Sequence, residues 1–171
     1  MTTITAETVL TDERAELLET LAKHRYLFRF TAEGLTEEQA RQRTTVSELT
    51  IGGLIKHVAA AERGWARFIR GGAGEMDSYQ ADFFDSFSLR PDETLESVLA
   101  DYADAALETD TLIATVPDLS MSHPLPVAPW FEEGKSWSVR RVAVHLIAEI
   151  AQHAGHADII RESIDGQKSM G

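Results

Sequence analysis

Apolar positions recur at steps of three and four residues over most of this chain, the period of helices with one buried face. The clearest stretch is VRRVAVHLIAEIAQHAGHADIIRESI. There Val142, Leu146, Ile150, Ala157, Ile160 and Ile164 form a single stripe, and Ser138 is placed to cap the first turn. TVSELTIGGLIKHVAAAERGWARFIR carries Leu54, Val58, Ala61, Trp65 and Phe68 in the same way. Thr45 and Glu48 match a capping box for that helix, and Gly71, Gly72 and Gly74 end it. Leu17, Leu21, His24, Leu27 and Phe28 predict a helix over DERAELLETLAKHRYLFRFTAEG, entered through Thr11 or Asp12 and stopped at Gly34. Between Pro91 and Pro117 a further helix is predicted, with Leu95, Leu99, Tyr102, Ala106 and Ile113 facing in. Residues 1–11 read as a loose arm, and strand-like alternation is absent.

Four long helices joined by connections of roughly 10 to 20 residues predict an all-α four-helix bundle. Connections of that length leave the topology open between simple up-and-down and up-down-down-up with a crossover. Residues 75–91 hold Tyr79, Phe83, Phe84 and Phe87, which are expected to fold over the bundle with one short helical turn. LSMSHPLPVAPWFEEGKSWSVR holds Pro124, Pro126, Pro129, Trp130 and Trp137. Its HPLPV stretch reads as extended, and its aromatics are expected to pack over the mouth of a site. Gly52 and Gly53 lower helix propensity near the start of their helix, so close approach of a neighbouring helix or a ligand is expected there.

At 171 residues the chain suffices for one good core and not for two, so residues 1–171 read as one domain. Zero cysteines exclude disulfides, cysteine zinc sites and a protein thiol nucleophile. A net charge of −12, with 16 scattered Lys and Arg, argues against a nucleic-acid partner. The apolar runs are too short to span a membrane, and MTTITAETVLTDER shows no basic segment before an apolar one, so a cytoplasmic location is expected. Arg41 and Arg43 would make an anion-holding patch with Arg140 and Arg141 only if the fold brings them together. Phe83, Phe84 and Phe87 in one connection, with Trp130, Phe131 and Trp137 in the other, predict a homodimer; the alternative is that these rings cover the site of a monomer.

Polar residues set into the stripes carry the candidate chemistry. With Glu149 at zero and 100° per residue, Val142 and Ile160 fall at about 20°, Leu146 at about 60° and Ile150 at about 100°. His153, at about 40°, lies inside that stripe and Glu149 at its edge, with His145 and His156 flanking at about −40° and −20°. His57 has the same relation to Leu54, Ala61 and Phe68, at about 60°, 40° and 20°. Facing stripes would bring His57, Glu149 and His153 to one point. Two imidazoles and a carboxylate suit Zn²⁺, Ni²⁺ or Fe²⁺ and leave coordination positions for water or substrate. Read alone, His57 fits a hydrogen-bonded boundary histidine, and Glu149 with His153 fits an ordinary i,i+4 pair. His24 reads as a partly buried structural histidine.

LIKHVAAAERGWARF and, more specifically, WSVRRVAVHLIAEIAQHAGHADIIRESIDG resemble the DinB-like superfamily of metal-binding four-helix bundles, in an actinobacterial branch related to mycothiol-dependent isomerases and S-transferases. The resemblance runs over nearly the whole chain. In that superfamily a histidine of the second helix joins two ligands four apart on the last helix, commonly both histidines followed by Arg-Gly-Gln. The matching positions are His57, Glu149 and His153, followed by Ala154, Gly155 and His156. Glu149 departs from the commonest form and is similar to the arrangement in the mycothiol-dependent members. His156 stands where glutamine is usual. As the candidate catalytic residue it is open to three roles: a partner behind a ligand, a fourth ligand or a proton shuttle. The resemblance implies a divalent metal ion, zinc or nickel, with mycothiol as cosubstrate. The ion would hold the thiol as a thiolate for attack on a small electrophile, which needs no cysteine from the chain. The implied function is a metal-dependent thiol S-transferase or isomerase; the alternative is a non-catalytic metal-containing bundle that binds a small ligand or a protein.

Overall fold

The structure, a computed structural model, describes residues 12–76 and 84–169. Residues 1–11, Tyr79, Phe83 and the Phe84 side chain lie outside the described parts, and with them the expected loose arm and the Thr11 cap. Long helices form where the apolar period is sustained: α1 (Asp12–Phe30), α3 (Ile51–Gly71), α4 (Leu95–Thr115) and α5 (Val139–Asp165). A single turn, α2 (Glu37–Ala40), interrupts the first connection, and a 3-10 turn, Phe84–Phe87, supplies the short helical turn of the second. No helix among the described residues is long and apolar enough to cross a membrane.

Thr50, not Thr45, caps α3. Its backbone is extended and its Oγ1 accepts from Gly53 N–H at 3.1 Å. The box expected at Thr45 and Glu48 fails because this run bonds to itself first: Ser47 N–H donates to Thr45 Oγ1 and Leu49 N–H to Ser47 Oγ, both at 3.2 Å. Capping boxes occur instead at Thr36 with Gln39 and at Thr94 with Ser97. Ser138 caps α5 as expected, accepting from Arg141 N–H at 3.1 Å.

Ion pairs fix the helix directions. Glu13 pairs with Arg140 at one end of α1 and α5, and Arg161 reaches the Thr31 and Glu33 carbonyls at the other, so these helices are parallel. Lys56 with Glu93 just ahead of α4, then Arg63 with Asp101 and Arg70 with Glu108, form successive rungs along α3 and α4, which are therefore parallel too. His57 lies beside His153 and Trp65 beside His145, so α3 and α5 are antiparallel. The topology is up-down-down-up. Between them the helices bury Leu21, Phe28, Leu54, Val58, Phe68, Tyr102, Ile113, Val142, Leu146 and Ile150, each at most 1% exposed, so the predicted stripes do face the core.

Absent strand alternation does not mean absent strands. Ser122–Pro124 (β1) and Ser136–Ser138 (β2) pair antiparallel, with Ser122 opposite Ser138. Three residues are too few for a period of two to register in the sequence. The core also holds charges that the stripes did not announce. Arg25, 6% exposed, bonds Glu62, 0% exposed, through Nε at 3.0 Å and Nη2 at 2.6 Å, and Asp110 through Nη1 at 2.7 Å.

Because α4 runs parallel to α3, the chain must return along the bundle before α4 can start, and it passes the first turn of α3 at the glycine pair. A Cβ on Gly53 would lie 2.7 Å from the Phe87 carbonyl carbon, and one on Gly52 would lie 2.6 Å from Leu89 Cδ1 and 3.1 Å from the Ala40 carbonyl oxygen. The close approach expected at these glycines is real, and the 3-10 turn and its flank make it. Gly53→Ala is therefore expected to destabilise the fold by about 1–3 kcal/mol, as overpacking does. Gly155→Ala, in open space within α5, should stabilise it by about 0.5–1 kcal/mol. Urea unfolding midpoints of the two variants check this; equal shifts would refute the packing account.

Candidate functional site

Glu149 and His153 stand one turn apart on α5, and His57 faces them from the second turn of α3. One ligand atom from each residue lies within 4.8 Å of those of the other two. His57 is 3% and His153 8% exposed, while Glu149 is half-buried. His153 Nε2 lies 3.5 Å from Glu149 Oε2, and His145 Nε2 lies 3.8 Å from Glu149 Oε1. The donor set fits a divalent ion. Burial, reinforced by the neighbouring His153 and opposed by Glu149, pushes His57 down to about 4, which leaves its imidazole neutral with a lone pair to give. The hydrogen bond to His153 outweighs burial and holds the Glu149 carboxyl below its usual range, so it is ionised. Ligands at bonds of about 2.1 Å around one ion stand roughly 3–3.5 Å apart, the scale of the separations here.

Ser86, 1% exposed, places Oγ 2.9 Å from His57 Nδ1, and Phe87 stacks on the His57 ring at 3.8 Å between centroids, inclined 19°. Both come from the 3-10 turn that the glycine pair admits. His156 lies outside the triad: its Nδ1 is 3.4 Å from His153 Nδ1, on the far side of that ring from Glu149. Ser86 is the site residue that sequence reasoning missed. The glycine pair was its one signal, and it marked a close approach without naming what approaches.

An aromatic wall borders the triad on the other side. Trp137, from β2, stacks on Trp65 of α3 with centroids 4.8 Å apart and planes 13° apart, and His145 meets both rings edge-on at 4.9 Å. Burial, partly offset by Glu149, lowers the His145 pKa. Trp137 and Phe131 of the long connection thus pack beside the cluster, while Trp130 is exposed. Arg141 lies over Trp137, with Cζ 4.7 Å from the ring centroid. His24 sits half-buried on α1, away from the cluster.

The four arginines considered for an anion patch do not meet. Arg41 donates to the Leu89, Arg90 and Glu93 carbonyls and Arg43 pairs with Glu48, beside the start of α3. Arg140 and Arg141 open α5 at the opposite end of the bundle, where Arg140 pairs with Glu13. Parallel α1 and α5 impose that separation.

The model of one protein family, described as Mycothiol-S-transferase, matches residues 16–166. That span includes all three residues of the triad, Ser86 and the aromatic wall. No curated protein matches the chain.

Proposed function

The chain belongs to the mycothiol-S-transferase family, within the DinB-like superfamily, and from that premise we propose a metal-dependent transferase or isomerase that acts with mycothiol on a small electrophile. The observation that carries this reading is the meeting of two buried imidazoles and an ionised carboxylate at one point. His57, Glu149 and His153 are the ligands of one divalent ion, and zinc and nickel both suit that donor set. When bound, the ion supplies a Lewis acid that lowers the pKa of a thiol toward neutrality.

The protein's own groups prepare that centre. Ser86 Oγ accepts from His57 Nδ1–H, which presents Nε2 for coordination. His156 Nδ1 takes the Nδ1–H of His153 in the same way and leaves Nε2 on the Glu149 side. His156 is thus a positioning residue for His153 rather than a fourth ligand. Trp65 and Trp137 exclude water from one flank. In the transfer, the thiol sulfur forms a bond to the electrophilic carbon, the leaving group departs with its bonding pair, and the thiol proton passes to solvent. The test is turnover of mycothiol with 1-chloro-2,4-dinitrobenzene by protein loaded with Zn²⁺ or Ni²⁺. Chloride release well above that of free metal plus thiol is expected, reduced by roughly 10- to 100-fold in His156→Ala. A rate no faster than free metal plus thiol, across several electrophiles, would overturn the catalytic reading in favour of a metal-containing binding bundle.

The same proposal places the protein in the cytoplasm, as one domain and as a homodimer. Phe87 and Trp137 each give one ring face to a stack within the bundle, on His57 and on Trp65. Trp130, at 64% exposed, remains available on its connection, and Tyr26 on α1 and Leu107 on α4 are 66% and 68% exposed. Light scattering should give about 38 kDa, twice the 18.9 kDa chain; about 19 kDa at micromolar concentration would refute the dimer.

A further inference from the structure

A run of rings leads outward from the triad without a gap. His145, beside Glu149, meets Trp137 at 4.9 Å between centroids; Trp137 meets Phe131 at 5.7 Å, and Phe131 meets Trp130 at 6.2 Å. The run ends at the surface, where Trp130 is 64% exposed on the connection between β1 and β2. An indole left this open contributes little to the core and offers a face to a ligand. Arg141 stands beside the run. Its guanidinium carbon lies 4.7 Å from the Trp137 ring centroid, and the guanidinium makes no hydrogen bond or ion pair with any described residue.

The position of Arg141 on its helix is not one that favours a cation. It lies in the first turn of α5, which holds no acidic residue, and a cation there opposes the helix dipole by about 0.3–1 kcal/mol. Its neighbour Arg140 is relieved by Glu13, whereas among the described residues Arg141 meets only the ring. The backbone N–H groups of that turn are already used, by the Met121 and Leu119 carbonyls and by Ser138 Oγ, so the helix end itself is not the attraction. What remains is a planar fork of donors beside exposed aromatic faces. That pairing suits a polyhydroxylated ring, whose C–H face covers an aromatic ring while its hydroxyls accept from a guanidinium. Eight residues separate Arg141 from Glu149, roughly 12 Å of helix axis, a reach greater than that of a cysteinyl group alone.

We propose that Trp130, Phe131 and Arg141 form the subsite for the carbohydrate end of the thiol cosubstrate while its sulfur lies at the triad. This rests on the transferase reading and specifies which part of the cosubstrate the enzyme selects. Two measurements test it. The first is the ratio of kcat/KM for mycothiol to that for N-acetylcysteine, with one electrophile, in the wild type, Trp130→Ala and Arg141→Gln. Each variant is expected to lower the ratio by about tenfold, or about 1.4 kcal/mol. The second is calorimetric titration with the sulfur-free glucosaminyl-inositol, which should bind the wild type and be lost in both variants. A ratio that does not move, or a disaccharide that fails to bind the wild type or binds all three proteins alike, overturns the subsite. If no thiol is turned over and the disaccharide still binds through Trp130 and Arg141, the subsite stands and the transferase reading falls.

Discussion

Everything at the candidate site depends on how closely a backbone carbonyl approaches the first turn of α3. Parallel neighbours in a bundle need a connection that climbs the length of the helices, and here that connection must cross α3 where His57 begins its turn. No side chain fits between Gly53 and Phe87. The glycine pair therefore costs helix propensity locally and gains a contact that sets Ser86 on His57 Nδ1 and Phe87 on its ring face. An imidazole held on one nitrogen and one face has a single orientation left, toward α5. The topology, a sequence feature and the geometry of the triad are thus one constraint.

A chain with a net charge of −12 nevertheless uses its arginines chiefly inside and between elements. Arg161 donates to the Thr31 and Glu33 carbonyls at the end of α1, Arg41 to carbonyls ahead of α4, and Arg14 to the Ile113, Val116 and Pro117 carbonyls at the end of α4. Helix ends leave carbonyls without intrahelical partners, and a guanidinium can satisfy two or three of them at once. Arg25 joins Glu62 and Asp110, which ties α1, α3 and α4 together at the centre. Removing one partner of such a buried pair costs about 3–5 kcal/mol, because the other charge remains where water cannot reach it. Arg141 departs from this pattern: among the described residues its guanidinium meets a ring and no carbonyl or carboxylate.

Much of this was legible in the sequence, for reasons that also explain what was not. Helical angles place His57, Glu149 and His153 correctly relative to their own stripes because burial enforces the period of 3.6. The bundle and its helices followed from the same signal, as did the close approach at Gly52 and Gly53. Helix direction did not follow, since long connections permit either topology and the deciding rungs pair residues far apart in sequence. Thr45 has the spacing to Glu48 that a capping box needs, but local hydroxyl bonds and the later Thr50 override it. Hydrophobic patterning cannot flag the buried charge of Arg25, because its partners Glu62 and Asp110 lie on other helices. Ser86 sits in a segment with no period at all.

The central claim is that two histidines and one carboxylate of this chain hold a single divalent ion, with the other histidines outside its shell. X-ray absorption at the metal edge, on protein purified without a histidine tag and loaded with Zn²⁺ or Ni²⁺, tests it directly. The account predicts one ion per chain, light ligands at about 2.0–2.2 Å and scattering from two imidazoles, falling to one in His57→Ala. Protein that retains no ion after loading, or a shell of three or more imidazoles that draws in His145 or His156, would contradict it.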